Sequence, residues 1–97
     1  MTGLDQVRSK WKTDILRLAA EHGARNIRVF GSVARGEGTD MSDLDLLIEL
    51  EPGRSLFDLI GFEHALEDLL GCKVDVLTDG GVSPYFREYI YRDATPL

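Results

Sequence analysis

A compact α/β sandwich with a small mixed three-stranded sheet and helices packed on one face is the fold class this sequence predicts. Three observations predict it. Apolar residues recur at helical spacing over residues 4–22, and cap and stop signals bound a second helix over residues 55–70. Three β-type runs, at residues 27–30, 44–50 and 74–77, fall between and after those stretches. The connections are short, which favours a compact layered arrangement over separate units.

In the first stretch Leu4, Val7, Trp11, Ile15 and Leu18 form the apolar stripe, and Gly23 is a natural stop. The run at residues 27–30 ends at Gly31, where Ser32 begins a short helix. Residues 44–50 read as the strongest strand. Ser55 caps the next helix, with Asp58 at the capping-box position and Gly71 ending it at about residue 70. Gly61 inside that helix costs about 1 kcal/mol relative to alanine, so the helix depends on tertiary packing. Pro84 opens a last helix over residues 85 to about 92, and Pro96 lies past its end.

With 97 residues, one domain spanning residues 1–97 is the expectation. Hydrophobic residues at 43% and charged residues at 29% fit a globular protein. The net charge of −6 argues against direct binding to nucleic acid, which needs a basic face to displace counterions. Cys72 is the single cysteine and has no internal partner, which points to a reducing compartment. No apolar run is long enough to span a membrane and no signal-peptide core stands at the start, so a cytoplasmic location without membrane attachment is expected.

Side chains at i and i+2 of a strand share a face. Leu44, Leu46, Ile48 and Leu50 are all apolar, so Asp43 and Asp45 point together to the other side. Val74 and Val76 take the buried face of the third strand and send Asp75 to the opposite one. If the two strands are neighbours, three carboxylates converge. Two unit charges about 4 Å apart repel by roughly 4 kcal/mol at an effective dielectric of 20. Such a cluster must therefore take up protons or hold a cation, and carboxylate oxygens suit magnesium.

The segment GSVARGEGTDMSDLD, residues 31–45, supplies the complement to those carboxylates. Glycine at Gly31 lets the backbone approach a phosphate, and Ser32 opens a helix whose N–H groups face the anion. Gly36 and Gly38 permit the return to the second strand. Arg35 is open to two roles, phosphate contact or a brace for the loop. These residues suggest phosphates on Gly31 and Ser32, a metal on Asp43 and Asp45, and Asp75 as third ligand or general base.

Gly31-Ser32, ten residues, then Asp43-Leu44-Asp45 resembles the signature of the polymerase-β-like nucleotidyltransferase superfamily. The fuller run from Gly31 to Gly36, then Ser42-Asp43-Leu44-Asp45-Leu46-Leu47, with Lys73-Val74-Asp75-Val76-Leu77 and the ending PYFREYIYRDATPL, is similar to its minimal nucleotidyltransferase (MNT) branch. The likeness covers nearly the whole chain. It implies the nucleotidyltransferase fold, ATP as nucleotide donor with Mg2+, and Asp43, Asp45 and Asp75 as catalytic and metal-binding residues. It implies Gly31, Ser32, Arg35 and Ser42 on the nucleotide side. It also implies a partner: MNT proteins pair with a HEPN-type ribonuclease toxin and neutralise it as antitoxins by transferring AMP from ATP to a tyrosine of that toxin, in a hetero-oligomer. Two other readings stand beside this one. One is nucleotidyl transfer to a small molecule with a partner subunit supplying the acceptor site; the other is a non-catalytic antitoxin that blocks its toxin sterically.

The remaining conspicuous residues have structural readings. Asp40 and Asp79 lie in loops and suit turns. His22, His64 and Trp11 read as structural, and Cys72 as a small core residue. In the last helix Phe86 and Ile90 are expected to face the core, leaving Tyr85 and Tyr89 as a stripe that can meet a partner.

Overall fold

The computed structural model describes residues 3–39 and 41–97; Asp40 lies outside the described residues. Helix α1 (Leu4–Gln6) passes through a π-helical segment (Val7–Trp11) into α2 (Lys12–Glu21). There follow β1 (Ala24–Phe30), α3 (Gly31–Ala34), β2 (Leu44–Leu50), α4 (Leu56–Leu70) and β3 (Val74–Thr78). A 3-10 turn (Asp79–Gly81), α5 (Arg87–Asp93) and β4 (Thr95–Pro96) complete the chain. The sheet order is β3-β2-β1-β4, with β2 and β3 parallel and β1 antiparallel to both of its neighbours. No helix among the described residues is long and apolar enough to cross a membrane.

The mixed sheet with α2 and α4 on its apolar face agrees with the sequence reading, but it has four strands rather than three. The added strand is two residues long and contains Pro96, which has no N–H, so it leaves no alternating pattern to read. It is held by the Leu97 N–H donating to the Ile27 carbonyl at 3.0 Å and by Arg8 Nη2 donating to the Pro96 carbonyl at 2.7 Å. β1 also begins earlier than expected. A register shift between Arg25 and Arg28 accompanies Asn26 at φ 52°, a bulge that interrupts the alternation and hides the strand's first half.

The core lies between the sheet and α2 and α4, with Ile15, Phe62, Leu44, Leu46, Ile48 and Val29 fully buried and Trp11 and Cys72 at its margin. Helix α4 starts as its sequence dictates. The Ser55 hydroxyl accepts from the Phe57 N–H at 3.2 Å, and Asp58 Oδ2 accepts from the Ser55 N–H at 2.9 Å, which draws the Asp58 carboxyl below its ordinary range. Gly61 is explained by His22: a β-carbon at residue 61 would sit 3.2 Å from His22 Cε1, and the same imidazole lies against Phe62. Close packing between α2 and α4 offsets the glycine's cost.

The opposite face of the sheet is not bare. Leu47 is fully buried there, outside the main core, with the 3-10 turn packed against β2. Helix α5 begins at Arg87, two residues later than expected, because residues 84–86 form a turn. Phe86 is consequently 62% exposed and does not face the core. Ile90 is partly buried, while Tyr85 and Tyr89 are exposed as expected.

β3 is an edge strand, yet two of its N–H groups are occupied by side chains. Glu67 Oε2 accepts from the Val74 N–H at 3.2 Å and Glu63 Oε2 from the Val76 N–H at 3.4 Å. Two α4 carboxylates thus close an edge that could pair with another chain. The double variant Glu63→Ala, Glu67→Ala should lower the melting temperature by about 4–8 °C, the effect of about 1 kcal/mol in a domain of this size. It should also self-associate at concentrations where the parent chain does not, measured by light scattering.

Candidate functional site

The site begins where β1 ends. Phe30 is extended, and Gly31 turns the chain at φ 76°, in the left-handed region that favours glycine. A β-carbon at residue 31 would collide with Asp45 Oδ2 and lie 3.2 Å from its Cγ. The position therefore excludes a side chain twice, by backbone conformation and by the carboxylate against it. Helix α3 follows at once, with the Arg35 N–H donating to the Gly31 carbonyl at 3.1 Å and the Glu37 N–H to the Ser32 carbonyl at 2.9 Å. Val33 anchors this turn in the core, leaving Gly31 and Ser32 half-buried at its start. The first N–H groups of a helix have no acceptor within it, and they suit an anion.

The parity argument holds for Asp45 and Asp75. β2 and β3 are parallel neighbours in a register that places Asp45 opposite Asp75. Phe30, the residue before Gly31, pairs with Asp45 on the other side. One position in β2 thus meets both the helix-opening turn and the second aspartate. Asp43, one residue before the strand, is exposed. Burial, followed by the charges of Asp75 and then Asp43, pushes the Asp45 carboxyl up to about 6. Among the described residues no three acidic, histidine or cysteine side chains stand in ready ion-ligating geometry. The donor set is nonetheless carboxylate oxygen throughout, which fits a hard divalent cation, and the raised Asp45 marks negative charge gathered around a half-buried group.

Of the two roles open to Arg35, the structure displays the brace. Its Nε donates to Glu37 Oε2 at 2.9 Å and its Nη1 to Asp93 Oδ2 at 2.7 Å, joining the end of α3 to the end of α5. The guanidinium is still near enough to Asp45 to draw that carboxyl's pKa down against the larger upward effects. Ser42 sits in the turn that leads into β2, where its hydroxyl accepts from the Thr39 N–H at 2.8 Å and its N–H donates to the Thr39 carbonyl at 3.0 Å. His64 is exposed and apart from these residues, and Cys72, whose thiol burial pushes up, packs at the core margin.

A second cluster on the same face escaped sequence reasoning. Arg28 donates to both oxygens of Asp79, at 3.1 and 2.7 Å, and the Tyr91 hydroxyl donates to the same carboxylate. The Arg28 side chain is only 13% exposed. The guanidinium holds the Asp79 carboxyl below its ordinary range, and the shared bond raises the Tyr91 phenol. Asp79 is therefore more than a turn former: it ties β1, the end of β3 and α5 together. Its signal was present, since Arg28 has the parity opposite to Ile27 and Val29, but only the strand order reveals that Asp79 lies within its reach.

The chain matches the nucleotidyltransferase domain family over residues 5–96. It is 39% identical over 86 residues to MJ0435 of Methanocaldococcus jannaschii, named as a candidate protein adenylyltransferase, covering 89% of this chain and 92% of that protein. It is 36% identical over 96 residues to the protein adenylyltransferase MntA of Thermococcus cleftensis, covering 94% and 97%. A solved structure described as a candidate minimal nucleotidyltransferase has a TM-score of 0.82 at 47% identity, covering 98% of this chain and 96% of that one. A toxin–antitoxin structure with AMP-PNP, at 17% identity and a TM-score of 0.73, covers 87% of this chain and 69% of that one and shares the fold. The glycine-opened turn beside paired aspartates and these likenesses agree: the chain belongs to the nucleotidyltransferase domain family.

Proposed function

We propose that this protein is a magnesium-dependent protein adenylyltransferase, an antitoxin that transfers AMP from ATP to a tyrosine of a HEPN-type ribonuclease toxin. The observation that carries the reading is the contact of Gly31 with Asp45. It sets the start of α3 beside a carboxylate that is itself in register with Asp75. The relatives named as protein adenylyltransferases support the reaction, and the related fold with AMP-PNP in a toxin–antitoxin structure supports the nucleotide and the partner.

In this reading the N–H groups of Gly31 and Ser32 receive phosphate oxygens, and Ser42 shapes the turn on the nucleotide side. Asp43, Asp45 and Asp75 would hold magnesium, which would supply positive charge to the phosphates. The acceptor tyrosine oxygen bonds to the α-phosphorus as the bond from that phosphorus to the pyrophosphate oxygen breaks. Asp75 accepts the phenolic proton. The acceptor comes from the partner, whose contact surface on this chain includes the exposed Tyr85 and Tyr89.

The test is the intact mass of the toxin encoded beside this protein after incubation with the chain, Mg2+ and ATP. A gain of one or more AMP units is expected, and Asp43→Asn should slow it by at least about 100-fold, the scale of a single electrostatic contact to a transition state. A folded complex that gains no mass with any nucleotide contradicts the reading and points to a steric antitoxin.

Asp45 gives a second test. Its folded pKa of about 6 lies above the roughly 3.9 of an unfolded aspartate, so its stabilising contribution is complete below about pH 4 and is lost as pH rises through about 6. In metal-free buffer Asp45→Asn should remove this loss and raise the melting temperature at about pH 7.5 by about 4 °C. Mg2+ should raise the melting temperature of the parent chain at that pH and leave Asp45→Asn unmoved. A variant no more stable than its parent contradicts the assignment.

A further inference from the structure

We propose that Asp93 is a positioning residue for the nucleotide site and acts through Arg35. The inference rests on the nucleotide reading above. Arg35 caps α3, the helix whose first turn begins at Gly31, and its guanidinium is shared between two carboxylates. Glu37 is only two residues away, with a side chain 66% exposed, and so is a solvent-screened anchor. Asp93 comes from α5, 58 residues on, and its side chain is 18% exposed. Two residues before it, Tyr91 is bound to Asp79, which is itself held on both oxygens by Arg28. Asp93 is thus the fixed end of the pair.

What that anchor prevents follows from the surrounding charge. Asp45 pairs with Asp75 across the strands, and the charges of Asp75, Asp43 and Arg35 are all felt at Asp45. A guanidinium tethered only by Glu37 swings toward those aspartates, because arginine carries a long flexible stem and pairs readily with carboxylates. There it would neutralise the charge that the site needs for its cation. Held by Asp93, it stays at the end of the α3 turn, braced to α5, and leaves the aspartates negative. The pair also links α5, which carries the exposed Tyr89, to the turn that receives phosphate.

The experiment is titration of the folded chain with fluorescent mant-ATP in Mg2+, with thermal melts of each variant. Asp93→Asn is expected to raise Kd by at least tenfold and Asp93→Glu by less than threefold. In an Arg35→Gln background, Asp93→Asn should change Kd by less than threefold, since its effect passes through Arg35. Unchanged affinity in Asp93→Asn overturns the proposal. So does an equal loss in the Arg35→Gln background, or an Asp93→Asn chain that does not fold, because Asp93 would then serve α5 alone. A parent chain that binds no nucleotide removes the reading above and this inference with it, and is seen before any variant is made.

Discussion

The Gly31 α-carbon rests against the carboxylate of Asp45, and the rest of the site is arranged around that contact. It requires a residue without a side chain, in a left-handed backbone conformation, at the point where β1 ends. It requires β2 to lie antiparallel to β1 so that Asp45 pairs with Phe30, and β3 parallel to β2 so that Asp75 pairs with Asp45. It also requires an apolar opposite face, because Leu44, Leu46 and Ile48 must fix the height of β2. A half-buried carboxylate beside two others is unfavourable alone. The packing beneath it holds the arrangement in place, so that electrostatic strain is concentrated at this one point of the sheet.

The two faces of the sheet are stabilised by different means. One is a conventional apolar core under α2 and α4. On the other, Leu47 is covered while the connections at the surface are ionic: Arg28 with Asp79 and Tyr91, and Arg35 with Asp93 and Glu37. Both networks end on the last turns of α5, which contributes no residue to the main core. Charged pairs of this kind give modest net stability and strong geometric definition. They suit a helix that must sit at a set angle beside the site while presenting aromatic residues outward. The two edges of the sheet are closed in equally different ways, by the glutamates of α4 at β3 and by a two-residue strand ending in proline at β4.

The fold's centre was legible in the sequence because it follows a period. The alternation of Leu44, Leu46 and Ile48 fixes which way Asp45 points, and that of Val74 and Val76 does the same for Asp75. The capping box at Ser55 and Asp58 is a local hydrogen-bond pattern and was read directly. What escaped has no period or depends on distance in the chain. Thr95 and Pro96 are too few to show strand alternation, and Asn26 breaks it within β1. The pairing of Arg35 with Asp93 joins residues 58 apart, and Arg28 with Asp79 spans 51. Phe86 reads as inward only if the helix already includes it; residues 84–86 form a turn, so Phe86 does not share the face of Ile90. The sequence suggests Gly31 as a phosphate-approach residue, whereas its contact with Asp45 is visible only in three dimensions.

The most direct measurement is a double-mutant cycle on folding stability with Gly31→Ala and Asp45→Ala, followed by chemical denaturation. If the α-carbon of residue 31 rests against the Asp45 carboxylate, Gly31→Ala is strongly destabilising in the parent and much less so once Asp45 is truncated. The account predicts a coupling of at least about 1 kcal/mol, with the remaining cost set by the left-handed backbone. Additive effects within about 0.3 kcal/mol would show that the two residues do not meet, and the site as described would fall.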